Sequence, residues 1–169
     1  YTGEDTLSLH DALPIYILQV KREVTERKEL LRFSELLTSI QVCIDGLIRK
    51  EDVQFITDFT AIDEMEVFKS YLYSIFFNLI SNSIKYRRPH IRPVIEISSK
   101  KYDDKTELIF KDNGLGIDLE KKGSQLFGLY KRFHSHTEGK GMGLFMTKTQ
   151  VEALGGKISV YSQIDKGIE

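Results

Sequence analysis

Residues 72–86, LYSIFFNLISNSIKY, carry two stripes on what must be one helix. At about 100° per residue, Leu72, Ile75, Phe76, Leu79, Ile80 and Ser83 follow the i, i+3, i+4, i+7 spacing of a face that packs against a core. Asn78, Asn82, Lys85 and Tyr86 fall on a neighbouring stripe by the same period. The helix is expected from about Lys69 to Arg87, with Pro89 and Pro93 ending it. A helix with one packing face bordered by two amides, an ammonium and a phenol has to lie against a layer on one side. The other side suits a ligand that is anionic, metal-bound and aromatic, or else an ordinary solvated surface.

The chain has 169 residues and 41% hydrophobic content, enough for one compact unit with a real core. Its net charge of -1 excludes a nucleic-acid binder that works by overall charge. Cys43 is the single cysteine, so no disulfide framework and no thiolate metal cluster can form, and a reducing, cytoplasmic setting is the default. No apolar run reaches the ~18–20 residues needed to cross a bilayer, so no membrane contact is expected of this segment. A membrane anchor elsewhere in a longer parent protein stays open.

Residues 16–50 show helical spacing at Val24, Leu30, Leu31, Leu36, Leu37, Ile40 and Ile44. "EDVQFITDF" reads as a short strand. "VIEISSKKYDDKTELIFKDNG" reads as two strands joined by a turn at Tyr102–Lys105. Residues 119–133 look helical with interruptions at Gly123 and Gly128, residues 143–154 form an amphipathic helix capped by Gly155 and Gly156, and "KISVYSQ" is a last strand.

The strand pair delivers the chain into "DNGLGID", where a carboxylate followed by two glycines suits close approach of a ligand to backbone, or a plain Asn-Gly turn. A calcium loop is discarded, because Gly114 and Gly116 stand where ligands would be needed. "EGKGMGLFMTK" alternates Gly139, Gly141 and Gly143 just before a helix, where free amides and the helix dipole attract phosphate. It lacks the ending of a P-loop, and a loop stands where a dinucleotide fingerprint needs a strand.

Taken in order, these segments resemble the catalytic ATP-binding domain of bacterial sensor histidine kinases. The pattern is Asn-x-x-x-Asn-x-x-Lys-Tyr on a helix, Asp-x-Gly-x-Gly after a strand, Leu-Phe-x-x-Tyr-x-Arg-Phe, then Gly-x-Gly-x-Gly before a helix, over about residues 50–167. The resemblance implies the Bergerat fold. This is an α/β two-layer sandwich with a mixed, mostly antiparallel sheet, helices on one face and a lid over ATP. It implies that Asn82 coordinates the Mg²⁺ bridging the ATP phosphates, with Asn78 supporting it one turn earlier. Lys85 is expected to reach the phosphates and Tyr86 to lie against the adenine. Asp112 is expected to accept a hydrogen bond from the adenine amino group, Gly114 and Gly116 to clear space for the base, and Ile117 to pack on it. Gly139, Lys140, Gly141, Met142, Gly143 and Leu144 match the turn whose amides meet the phosphates, and Arg132 a further phosphate contact. Phe127, Tyr130 and Phe133 are expected to anchor the lid. His134 and His136 have no third ligand nearby and are read as solvated lid residues.

Relatives of this fold that hydrolyse ATP place a glutamate one turn before the metal asparagine, and serine-directed relatives also carry an acid there. Here Asn78 cannot take a proton near neutral pH, so the site looks suited to holding ATP without spending it on water. The resemblance assigns activation of the nucleophile to the phosphoacceptor histidine and its acidic neighbour, on a separate helical hairpin of the homodimeric parent kinase, and the onward partner to a response regulator. His10 in "LHDALPI" departs from the family's acceptor pattern, since its proline comes one residue early and too little chain separates it from Asn78. "LSLHDALPI" also resembles translated adapter sequence. The expected organisation is a non-native or disordered leader over 1–15, a remnant of the hairpin and its linker over 16–49, and the catalytic domain over 50–169, cut short in its last strand. Ile168 stands where the family often has a threonine that helps hold the base. A serine-directed kinase or anti-sigma regulator of the same fold, and a nucleotide-sensing module without catalysis, are the alternatives.

Overall fold

A computed structural model describes residues 27–128 and 142–169. In chain order the elements are β1 (Glu29–Arg32), α1 (Phe33–Cys43), α2 (Asp45–Lys50), β2 (Gln54–Asp58), β3 (Glu64–Val67), α3 (Lys69–Lys85), β4 (Val94–Lys101), β5 (Thr106–Asp112), α4 (Leu119–Lys122), a 3-10 turn (Gly123–Gln125), α5 (Gly143–Ala153), β6 (Ser162–Gln163) and β7 (Gly167–Ile168). β2 runs parallel to β4, β4 antiparallel to β5, and the pairs β1–β3 and β6–β7 are antiparallel. Helices α1, α3 and α5 lie side by side, α3 touching both of the others, as the second layer.

The layers meet where hydrophobic periodicities of two kinds face each other. Along β4, Ile95, Ile97 and Ser99 are buried in alternation, as a strand with one covered face requires. Along α3, Leu72, Ile75, Phe76, Ile80 and Ile84 are buried. Phe76 is the joint: its ring meets Phe110 of β5 edge-on at 4.8 Å between centroids and stacks on Phe33 of α1 at 6.3 Å. The packing stripe therefore continues through Ile84, and Ser83, expected within it, turns toward the end of β5 instead.

The helical spacing read over residues 16–50 fails at Leu30 and Leu31 and holds from Phe33 onward. Glu29–Arg32 is a strand in register with Glu64–Val67, with Leu31 packed on the core and Leu30 exposed. Pairing with β3 offers this stretch a ladder that local helical spacing cannot foresee. α1 then starts where Asp63 accepts hydrogen bonds from the Ser34 N–H at 2.9 Å and the Ser34 hydroxyl at 2.6 Å, satisfying a donor that every helix start leaves open. Phe33, Leu36, Leu37 and Ile40 of α1 enter the same core as α3 and β4. Residues 1–26, including Val24 and His10, lie outside the described residues.

The strand pair β4–β5 turns where the Tyr102 N–H donates to Lys105 O at 2.8 Å, as expected. α5 is followed by Gly155, with φ +77, and the Gly156 N–H donates back to Val151 O at 2.9 Å, the hydrogen bond of a glycine-capped helix end. Its fully enclosed face is polar, carrying Thr147 and Gln150 where an amphipathic apolar stripe is expected. Residues 119–125 are helical, with Asp118 capping α4 by accepting from the Lys121 N–H. That hydrogen bond, ahead of any other cause, holds the half-buried Asp118 carboxyl below its ordinary value. In "KISVYSQ" only Ser162 and Gln163 form a strand; the ladder with β7 closes at Tyr161, which exchanges two 2.8 Å hydrogen bonds with Glu169.

Candidate functional site

α3 carries the two asparagines on its half-buried side, facing the start of α5. A Cβ built on Gly143 would lie 3.6 Å from Asn82 Nδ2 and 3.7 Å from Asn78 Oδ1, so the two motifs, far apart in sequence, are in contact. The Asn78 amide donates to Ser74 Oγ at 3.4 Å. Met142 stands at the head of α5 and Gly143 and Leu144 form its first turn, all half-buried. N–H groups of a first helical turn have no partner within the helix, so this end presents donors and the positive end of a dipole toward the asparagines. An anion placed there would be held without any cationic side chain.

Lys85 and Tyr86 close α3. The Lys85 Nζ sits 5.1 Å from the centre of the Tyr86 ring, and the Tyr86 carbonyl accepts from the Leu115 N–H at 2.9 Å. That bond brings the loop after β5 against the end of the helix.

Asp112 ends β5 and is the most connected carboxylate of the site. Oδ1 accepts from the Gly114 N–H at 2.9 Å and the Ile168 N–H at 3.2 Å, and Oδ2 accepts from the Ser83 hydroxyl at 2.7 Å. A carboxylate offers about four acceptor positions, so one remains for a further donor. Ser83 follows Asn82 directly in sequence, so a single turn of α3 presents both the Asn82 amide and the hydroxyl that holds the Asp112 carboxylate.

The two glycines after Asp112 make room for this chain's own backbone. A Cβ on Gly114 would lie 2.7 Å from Tyr86 O, and one on Gly116, whose φ is +65, would collide with Gln163 O. Ile117 is buried, and its N–H donates to Ser162 Oγ at 2.8 Å, tying the loop to β6. A cavity of about 290 Å³ lies beside it, lined by Leu115, Gly116, Ile117, Asp118, Lys122, Ile164 and Asp165. Asp112 and Ile168 line another of about 340 Å³. Phe127 is half-buried with the Lys148 Nζ 5.6 Å from its ring centre. Tyr130, Arg132, Phe133, His134, His136, Gly139, Lys140 and Gly141 lie outside the described residues.

Among the described residues no group of three His, Cys, Asp or Glu side chains could hold a metal by itself. Mg²⁺ bound to a nucleotide usually takes one or two oxygen ligands from protein and the rest from phosphate and water, and the amide oxygen of a half-buried asparagine such as Asn82 is of the kind that fits.

Two participants escape a reading of the sequence. Ser83 sits among apolar neighbours and passes for a small packing residue; only its place one residue after Asn82 hints otherwise. The Ile168 contribution is a backbone N–H, which has no signature in residue type.

Residues 69–169 match the family described as histidine kinase-, DNA gyrase B-, and HSP90-like ATPase. The methanogenesis regulatory histidine kinase FilI of Methanothrix harundinacea is 36% identical over 53% of this chain and 10% of its own length. The histidine protein kinase SaeS of Staphylococcus aureus is 28% identical over 90% of this chain and 44% of its own length. The chain thus spans less than half the length of these curated relatives. Among solved structures, the nucleotide-free catalytic domain of histidine kinase ThkA superposes with a TM-score of 0.70 at 22% identity, covering 83% of this chain and 90% of that one. Histidine kinase AdeS of Acinetobacter baumannii gives 0.69 at 18% identity, covering 99% and 83%. The expected two-layer fold is thus met, and the chain belongs to the family of histidine kinase-, DNA gyrase B- and HSP90-like ATPases.

Proposed function

We propose that this chain binds Mg·ATP between α3 and the start of α5 and donates the γ-phosphoryl group to a histidine on the helical hairpin of its own sensor kinase. The observation that carries this reading is the convergence on two adjacent turns of α3. Asn82 and Asn78 face the head of α5, while Ser83 holds Asp112. Asn82 would hold Mg²⁺ through its amide oxygen, with Asn78 beside it; the ion, when bound, neutralises charge between phosphate oxygens. The amides of Gly143 and Leu144 favour the phosphates, with Gly139, Lys140, Gly141 and Arg132 proposed to add to them. Asp112 accepts from the adenine amino group at its remaining position, Ile117 and Tyr86 cover the base, and Lys85 turns from the Tyr86 ring toward phosphate.

Transfer forms a bond from the acceptor imidazole nitrogen to the γ-phosphorus as the bond to the bridging oxygen breaks, and ADP leaves; the acceptor's acidic neighbour takes the proton. The chain itself supplies positioning, the main contribution a protein makes to phosphoryl transfer. Asn78 is neutral and offers no base to water, so the purified chain is expected to hydrolyse ATP barely above background. Turnover of several per minute, abolished by substituting a nearby acid, would move the chain to the hydrolysing branch.

The homodimeric parent kinase and a downstream response regulator are the proposed partners, in keeping with a solved complex of ThkA with the response regulator protein TrrA. The setting is proposed as cytoplasmic; no described helix is long and apolar enough to cross a membrane.

The test is incubation with γ-labelled ATP and the separately supplied hairpin of the parent protein. Acid-labile, base-stable label is expected on the hairpin and absent from this chain. Asp112→Ala, which strips the base of its acceptor, is expected to weaken Mg·ATP by about tenfold. A parent chain that binds Mg·ATP yet leaves the hairpin unlabelled overturns the transfer reading.

A further inference from the structure

Arg88 lies just beyond α3, half-buried, and its guanidinium bridges two distant pieces of backbone. Its Nε donates to Asn113 O at 2.7 Å and its Nη1 donates to Asp165 O at 2.9 Å. Asn113 directly follows Asp112. Asp165, with φ +58, forms the turn that leads into β7, whose Ile168 N–H donates to Asp112 Oδ1. The same turn is fastened to the loop by the Asp165 N–H donating to Leu115 O at 2.7 Å. Arg88 touches neither Asp112 nor Ile168 in these bonds, yet it holds the chain on both sides of the carboxylate.

Resting on the ATP-site reading above, we propose that Arg88 is a positioning residue for base selection. By clamping Asn113 and Asp165 it keeps two backbone N–H groups on Asp112 Oδ1, so that the one acceptor position left meets an exocyclic amino group. A planar guanidinium suits this task because its donors are fixed relative to one another, whereas an ammonium on a flexible stem fixes no angle between two acceptors. A base with a carbonyl where adenine has its amino group sets an acceptor, not a donor, against the open position of Asp112, so its binding draws little from the clamp. The clamp should therefore matter for ATP and hardly at all for ITP.

Arg88→Met and the charge-retaining Arg88→Lys are to be compared with the parent by calorimetry against Mg·ATP and Mg·ITP. Arg88→Met is expected to weaken Mg·ATP about tenfold, with Mg·ITP changed less than about twofold and Arg88→Lys intermediate; a tenfold change corresponds to about 1.4 kcal/mol. In an Asp112→Ala background the same Arg88 substitutions are expected to cost nothing further. Equal losses for both nucleotides mean a merely structural role and overturn the proposal. So does a discriminating parent whose Arg88→Lys and Arg88→Met variants discriminate as well. A parent that binds Mg·ITP as tightly as Mg·ATP overturns the base contact of Asp112 itself, and the role of Arg88 with it.

Discussion

Phe76→Ala is expected to lower stability by about 3–5 kcal/mol, the range for truncating an enclosed aromatic side chain. Its ring has no exposed surface and meets rings on two other elements, Phe110 of β5 and Phe33 of α1. Removing it leaves a void where the sheet, α1 and α3 come together, which the surrounding side chains fill only in part. Domains of this kind have about 5–15 kcal/mol in total, so the variant should unfold at much lower urea with a similar slope. Phe77 is a built-in comparison. It is only partly buried and stacks on Tyr73 at 6.1 Å, so Phe77→Ala should cost distinctly less. Equal urea midpoints for the two variants would show that Phe76 is not the joint between the layers.

Asn82→Ala is expected to weaken Mg·ATP by tenfold or more while changing metal-free ATP by less than about twofold. Losses of about 10–100-fold are typical when an element of a metal site is removed. The effect should sit in the ligand and not in the fold. The Asn82 backbone carbonyl keeps its hydrogen bond from the Tyr86 N–H at 2.8 Å, and alanine is the best helix former. Titrations with Mg²⁺ and with chelator, on the same protein, separate the two contributions. Equal affinity of parent and variant in the presence of Mg²⁺ would remove Asn82 from the metal.

Much of this site could be read from the chain because its polar residues lie on local periodicities. Asn78, Asn82, Lys85 and Tyr86 lie on one stripe that runs to the end of a single helix, and Asp112 sits where alternation stops. Such features survive in the order of residues. β1 could not be read in this way. Leu30 and Leu31 satisfy a helical pattern and a strand pattern alike over so few positions, and the partner that decides, β3, is some thirty residues away.

The sequence by itself determined which elements exist where one period runs long enough to exclude the other: α3, the β4–β5 hairpin and the glycine-capped end of α5. It also determined the kinds of group available, amides, a carboxylate and a glycine-rich helix start, because residue type sets donor and acceptor chemistry wherever the chain goes. Only the tertiary structure decided which of those groups meet. The approach of Gly143 to the asparagines, the turn of Ser83 toward Asp112, the Ile168 N–H on the same carboxylate and the Arg88 clamp all join segments tens of residues apart. Side-chain periodicity reports on the neighbours a few residues away. A backbone carbonyl or N–H, identical in nearly every residue, acquires a partner only when packing brings one to it.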